Sequence, residues 1–236
     1  ATNGAGFGAA ISLFLGLSGT MVTVNAFVCG IASVGVAYLI STRVRQNQTL
    51  GMVLAGMMIS TLFNSAISLV KLVADPENTL PLITYWLFGS FVTLTMRDIL
   101  WACFPVIGGM LTLLILSWKL NLLAMGEDEA RSMGVNIRLI RTLIVAAATL
   151  VSAACVSISG TIGWVGLVIP HFTRMLVGND YRTAMPVSML MGASFLMLVD
   201  NVARSITTSE IPIGILTAFI GAPFFLYLIL DRGNRI

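Results

Sequence analysis

The chain has 236 residues, 57% of them hydrophobic and 10% charged, with a mean hydropathy of +0.96. A soluble domain carries about a quarter charged residues, so the composition excludes one and points to a polytopic membrane protein. The net charge of +3 is scattered over several loops, with no basic patch interleaved with aromatics, which argues against a nucleic-acid partner.

The chain opens Ala-Thr-Asn-Gly, without an initiator Met, a basic n-region or a cleavage pattern, and reads as a piece of a longer chain that starts at or just inside a span. Each span needs about 20 apolar residues to cross a bilayer. The first candidate is 4–19. Gly4 and Gly8 in it make a small-xxx-small step that lets helices approach closely. No strand precedes these glycines, so they do not read as a nucleotide-binding loop. The second span is 21–41, followed by Arg43, Arg45 and a polar run. The third is 50–73 and holds Asn64 near its middle, an amide that suits either a helix–helix hydrogen bond or a ligand in a transport path.

Asp75-Pro76-Glu77 marks a loop. Residues 81–91 are too short to span and are rich in interface aromatics: Tyr85, Trp86, Phe88 and Phe91. They read as a short helix that lies at, or dips into, the membrane surface, or as a plain aromatic anchor. Arg97 and Asp98 open the fourth span, 99–118. The fifth is 137–158, broken by Ser159-Gly160-Thr161. The sixth, 162–177, carries His171, and with no second histidine a metal role is not expected. The seventh, 184–203, ends where Asp200 and Arg204 stand four apart and can pair. Pro212 starts the eighth, 212–230. Cys29, Cys103 and Cys155 lie far apart in apolar runs and read as buried free thiols.

One stretch departs from this pattern. Lys119 to Arg141 holds seven of the chain's 13 basic and 10 acidic residues. Between membrane spans, such an island must sit in water or against another protein. Gly126 precedes the acidic first turn Glu127-Asp128-Glu129, Gly134 falls where a C-terminal glycine belongs, and Asn136 suits the N-cap of the next helix. The spacing predicts a short helix over 127–133, a turn, and a fresh membrane helix. By composition alone, the island is a solvated connecting loop. Threading eight spans alternately puts ten of the 13 basic residues, including Lys119, Arg131 and Arg138, on one side; Lys71, Arg97 and Arg204 fall on the other. The positive-inside rule makes the first side, and both ends of the chain, cytoplasmic.

The sequence holds no HExxH, GxSxG, Walker loop or metal-spaced cluster, and no acidic residue convincingly at mid-span. These gaps point away from an enzyme, with no catalytic or metal-binding residue, and toward a helical pore powered from elsewhere. An ion-coupled carrier and a structural membrane subunit remain as alternatives.

LNLLAMGEDEARSMGVNI, SGTIGWVGLVIPHFTRMLVGNDYRTAMP, DNVARS and EIPIGILTAFIGAPFF, in that order, resemble the membrane permease subunit of the iron–siderophore and vitamin B12 class of ABC importers, the type II importers. The run from Gly163 to His171 is the most specific piece. Family subunits are longer at the N-terminal end, so the resemblance implies that the earliest spans are absent from one permease domain over 1–236. It implies an all-α fold of about eight transmembrane helices, with a short periplasmic re-entrant or interfacial helix at 81–91 near the outer gate. Within 120–135 it implies a cytoplasmic coupling helix, Glu127, Asp128, Glu129, Ala130, Arg131, Ser132, Met133 and Gly134, docking on an ATPase. Arg204 matches an outward arginine that pairs with a solute-binding protein, and Gln48, Thr49 and Leu50 match a cytoplasmic gate. The implied partners are that ATPase (which carries ATP and Mg, this chain needing no cofactor), a periplasmic or extracellular binding protein, a second permease copy or homologue, and the lipid bilayer of a bacterial or archaeal inner membrane. Ferric siderophore is the expected cargo, with cobalamin, haem and molybdate as alternatives.

Overall fold

The structure is a computed structural model that describes residues 1–43, 48–206 and 211–233. Among these residues there are ten helices and no strand: α1 (Thr2–Phe14), α2 (Gly19–Ser41), α3 (Gln48–Val73), α4 (Thr79–Phe88), α5 (Met96–Met125), α6 (Glu127–Ser132), α7 (Ile137–Ser159), α8 (Val165–Val177), α9 (Tyr181–Ile206) and α10 (Ile213–Gly233). Five of them, α2, α3, α5, α7 and α9, are long and apolar enough to cross a membrane. The all-helical class implied by the resemblance holds among the described residues. A count of eight spans goes beyond these five.

Two expected spans are shorter than their apolar runs suggest, and both for a backbone reason. α1 stops at Phe14 rather than continuing to 19. Gly16 adopts φ +66°, its N–H donates to the Leu13 carbonyl, and the Leu17 N–H reaches back to Ser12. This crossed pair of bonds is a Schellman cap, which closes a helix and redirects the chain. α8 begins only at Val165, because Trp164 takes a left-handed φ of +67°. Each of these helices has 13 residues, about 20 Å at 1.5 Å per residue, which is less than the roughly 30 Å hydrocarbon core.

The chain forms two compact units. The first comprises residues 1–89, 94–107 and 148–161; the second comprises 90–93, 108–147 and 162–236. In the first, α1 lies against α2 through small residues. A Cβ on Gly4 would strike the Ser33 hydroxyl and stand 2.7 Å from the Cys29 carbonyl, and one on Gly8 would strike the Asn25 carbonyl. Ala5, Ala9, Val22 and Ala26 fill the seam. The glycine step anticipated from sequence therefore holds. Polar bonds tie the same helices: Asn25 Nδ2 donates to Ser12 Oγ at 2.8 Å, and Asn3 Nδ2 donates to Ser60 Oγ of α3 at 2.7 Å. In lipid, apolar burial between helices gains little, so close packing and such bonds carry the association.

α4 packs on this group through Ile83, fully buried beside Ala10 and Ala74. Gly89 (φ +74°) ends it. The end of α7 presses close enough that a Cβ on Gly160 would strike the Trp86 carbonyl, and Thr161 Oγ1 donates to the Leu87 carbonyl. At the start of α5, Thr95 and Asp98 form a capping box: Thr95 N–H and Oγ1 donate to Asp98 Oδ2 at 3.0 and 2.6 Å, and Asp98 N–H returns toward Thr95 Oγ1 at 3.4 Å. The second unit packs Val199, Ala203 and Ile213 against Ile162 and Leu216, and a Cβ on Gly221 would strike Trp164. Large apolar side chains such as Leu72 and Ile115 point outward, 82% and 78% exposed, as suits a surface in contact with lipid.

The glycine seam makes opposite predictions for two glycines. Gly8→Ala should destabilise the first unit by about 1–3 kcal/mol, the usual cost of overpacking. Gly35→Ala in α2, which meets nothing within 4 Å, should be neutral or stabilising by up to about 1 kcal/mol. Thermal unfolding of the two variants in the same detergent measures the contrast.

Candidate functional site: the acidic helix α6 and its supports

The polar island folds much as its spacing predicts, although its first part, Lys119–Met125, simply continues α5. Gly126, at φ +142°, turns the chain out of α5 and serves as N-cap of α6. The Glu129 carboxylate folds back over Gly126, whose positive φ an L side chain rarely adopts. At the other end the Gly134 N–H donates to the Arg131 carbonyl at 2.9 Å, and the Val135 N–H donates to the Ala130 carbonyl at 3.1 Å. With Gly134 at φ +76° this is again a Schellman cap. Val135 packs on the same cluster as Ala130, the apolar contact that accompanies the motif. Asn136 then caps α7, accepting the Leu139 N–H on Oδ1 at 3.1 Å. Gly134 and Asn136 thus act as the sequence suggested.

A helix of six residues cannot hold itself together. α6 persists because Ala130, fully buried, sits between Leu122 of α5 and Ile137 of α7, with Leu123 and Val135 around them. A larger side chain at so buried a position would overpack the contact. The opposite face shows Asp128, Glu129, Arg131, Ser132 and Met133, all exposed. The Glu127 side chain lies outside the described residues. The result is a rigid knuckle with an anchored inner face and a charged outer one.

One support of this region has no local sequence signal. Asn121, in the last turns of α5, donates from Nδ2 to Asp180 Oδ1 at 2.5 Å and accepts the Tyr181 N–H on Oδ1 at 2.9 Å. Asp180 also accepts the Arg182 N–H at 2.9 Å and so caps α9. These donors, the Arg182 amide first and Asn121 next, with the Arg182 charge adding to them, hold the exposed Asp180 carboxyl below its ordinary 3.8. Its partner lies 59 residues away, a pairing that only the fold brings about.

The other expected site residues fall elsewhere. Gln48 and Thr49 open α3, with side chains outside the described residues, and Leu50 is exposed. Asn64 is exposed mid-way along α3, and its carbonyl accepts the Ser68 hydroxyl at 3.0 Å. These four belong to the first unit; α6 and Arg204 belong to the second. Arg204 ends α9 and donates from Nε to Asp200 Oδ2 at 2.9 Å, the pair its spacing forecast. In the first unit, a cavity of about 550 Å³ opens among α2, α5 and α7, lined by residues such as Phe27, Trp101, Pro105 and Ala154, with Arg97 and Asp98 also on its wall. Three hydroxyls, from Thr20, Thr23 and Ser157, share that mostly apolar wall. Among the described residues no group of three or more His, Cys, Asp or Glu side chains gathers to hold a metal.

Comparison with known proteins places this arrangement. The model of the FecCD transport family matches residues 1–231. The molybdate import system permease protein MolB of Haemophilus influenzae is 42% identical over 235 residues, covering 99% of this chain and 70% of that protein. The cobalamin import system permease protein BtuC of Halobacterium salinarum is 39% identical over 210 residues, covering 89% of this chain and 56% of that protein. The chain therefore spans between about half and seven tenths of the length of these relatives. A solved ABC transporter of metal-chelate type, in an inward-facing conformation, superposes with a TM-score of 0.92 at 41% identity, covering 98% of this chain and 73% of that one.

The caps yield two measurable consequences. Asn136→Ala should cost about 1 kcal/mol at the start of α7, seen as faster amide exchange at Leu139. A carboxyl held low favours the ionised form in the fold. Its contribution is therefore complete above the ordinary carboxylate value and fades as pH falls through the lowered one. The carbon-13 titration of Asp180 should have its midpoint below 3.8, and Asn121→Ala should raise it.

Proposed function

Starting from the chain's membership of the FecCD transport family, shown by the match over residues 1–231, we propose that it is the transmembrane permease subunit of an ATP-driven importer of metal chelates. It would work as a dimer, or beside a homologous chain, with the path between the two. A separate ATPase subunit would bind the cytoplasmic face, and a solute-binding protein would deliver cargo on the other. No residue of this chain performs chemistry in the scheme.

The observation that carries the coupling half of this reading is α6. Energy from an outside motor must enter through a contact stiff enough to transmit it. α6 offers exposed charges at Asp128, Glu129 and Arg131 on a helix pinned by Ala130 and two glycine turns. A docked ATPase that closes on ATP would push this knuckle, and α5 and α7, which flank it, would tilt as a two-state gate. Gln48, Thr49 and Leu50 would form the cytoplasmic gate and Asn64 would face the path. Arg204, held by Asp200, would meet a carboxylate of the binding protein. The preponderance of basic residues on the loops that include α6 supports a cytoplasmic position for it.

For cargo, ferric siderophore remains the first proposal. Molybdate is the second, favoured by the 42% identity to a relative named for molybdate import. Cobalamin and haem belong to the same series. A mostly apolar path with few strong ligands suits a bulky chelate that must be released as readily as it enters.

The coupling reading is best tested at Asp128, whose side chain is exposed on the outer face of α6. In the full-length chain, Asp128→Lys together with Glu127→Lys should leave the chain folded in the membrane and abolish uptake driven by ATP. Unimpaired uptake would remove α6 from the coupling contact. Uptake that survives loss of ATP hydrolysis and fails with the ion gradient would instead establish a carrier. Arg204→Glu should weaken binding-protein docking most at low ionic strength, where charge steering is strongest; titrations at two salt concentrations read this directly.

A further inference from the structure

Asn121 and Leu122 are neighbours on α5 that hold different things. Leu122, with Leu123, packs against Ala130 of α6 and Ile137 of α7. Asn121 grips the corner between α8 and α9, using both ends of its amide: Nδ2 to Asp180 Oδ1 at 2.5 Å, and Oδ1 from the Tyr181 N–H at 2.9 Å. A planar amide held at two points fixes direction as well as distance, which a single bond does not. Asp180 in turn begins α9, since the Arg182 N–H donates to its carboxylate and the Ala184 N–H to its carbonyl at 2.8 Å. On the other side, Gly178 ends α8 at φ +83° with its N–H on the Arg174 carbonyl at 3.1 Å. The corner is thus only Gly178–Asp180, with no slack between the clip and either helix.

We propose that Asn121 and Asp180 form a clip that makes the α8–α9 corner move as one piece with α6, so that a push on α6 is delivered to α9 as well as to α5 and α7. This rests on α6 being the ATPase contact. Asn121 and Asp180 are positioning residues here: they touch neither cargo nor ATP. Without the clip, the corner loses both of these hydrogen bonds to the end of α5, which lies 59 residues away along the chain. Force applied at α6 would then spread along α5 and α7 before it reached α9. With the clip, the first turn of α9 is two hydrogen bonds from the same turns of α5 that support α6.

The test uses the full-length chain assembled with its ATPase in lipid nanodiscs, with Cys29, Cys103 and Cys155 replaced by alanine and spin labels at Arg138, in the first turn of α7 beside α6, and at Asn179 in the corner, both exposed. The label separation is measured without nucleotide and after trapping with ATP and vanadate. In the otherwise unaltered chain it should be narrow and identical in the two states. N121D sets two carboxylates against each other, so the distribution should broaden and shift on trapping. The exchange N121D/D180N restores a donor–acceptor pair in reversed order, still offers the Tyr181 and Arg182 amides an acceptor, and should return the narrow, invariant separation, as a coupled pair in a double-mutant cycle does. A purely structural staple would broaden the distribution in both states without making it depend on nucleotide, and that result overturns the proposal. So does a separation that shifts on trapping in the unaltered chain, or an N121D chain that behaves like it. If the ATPase is retained and N121D has no effect, only the clip fails. If the chain retains no ATPase, the docking reading fails first and takes the clip with it.

Discussion

A helix in lipid may leave no backbone group unpaired, and the places where this demand is hardest to meet are the helix ends. This chain meets it repeatedly with a residue in the left-handed region. Gly16 and Gly134 close α1 and α6 with the same crossed pair of hydrogen bonds, and Gly89 and Gly160 turn the backbone where α4 meets the end of α7. Trp164 does the same at the start of α8, at a cost a glycine would not incur. Its ring lies where a Cβ on Gly221 would have to be and stands 6.2 Å from that of Phe225, so packing within the second unit holds the strained turn. Each such corner sets where a helix stops, and so which side chains it can present.

Between the corners, shape does more than hydrophobicity. Gly4, Gly8, Ala5 and Ala9 let α1 approach α2 closely enough for backbone atoms to meet. Hydroxyls that would be orphaned in this setting bond back to their own helices: Ser12 to Gly8, Ser33 to Gly30, and Thr173 to Ile169, at 2.8, 2.7 and 2.9 Å. A buried hydroxyl without such a bond would cost more than its burial returns. The large side chains are left to face lipid, where they are neither gained nor lost on folding. Where α1 meets α2, the inward face is therefore the small-residue face, the reverse of the pattern in a water-soluble bundle.

This inversion sets what could be read in advance. Apolar runs announce helices, so the cores of α2, α3, α5, α7 and α9 were legible, and so were local caps: Gly134, Asn136 and the Asp200–Arg204 pair follow from spacing of at most four residues. Helix ends inside an apolar run were not. Leu15 and Leu17 read as membrane residues, and only the φ of Gly16 shows that α1 has already stopped. Long-range polar contacts were equally hidden. Asn3 with Ser60, Asn25 with Ser12 and Asn121 with Asp180 each depend on how helices lie together. Asn64, the one mid-span amide singled out for such a role, is exposed, while the asparagines that make helix–helix bonds stand nearer the ends of their helices. The family resemblance reached further than periodicity because ordered motifs carry positions that no local rule explains.

The same physics bears on whether α6 could transmit a push from a docked partner, as proposed. A push is useful only if the pushed element deforms less than the gate it moves. Length works against α6, since six residues carry almost no intrinsic helical stability. What stiffens it is borrowed: Ala130 locked between α5 and α7, a Schellman turn that leaves Gly134 no second conformation without losing two hydrogen bonds, and Asn136 starting the next helix at once. Connecting loops of the same length without these fixtures would absorb an applied displacement in their own torsions. A charged helix between two glycine corners can be gripped on its outer face because its inner face is not free to yield.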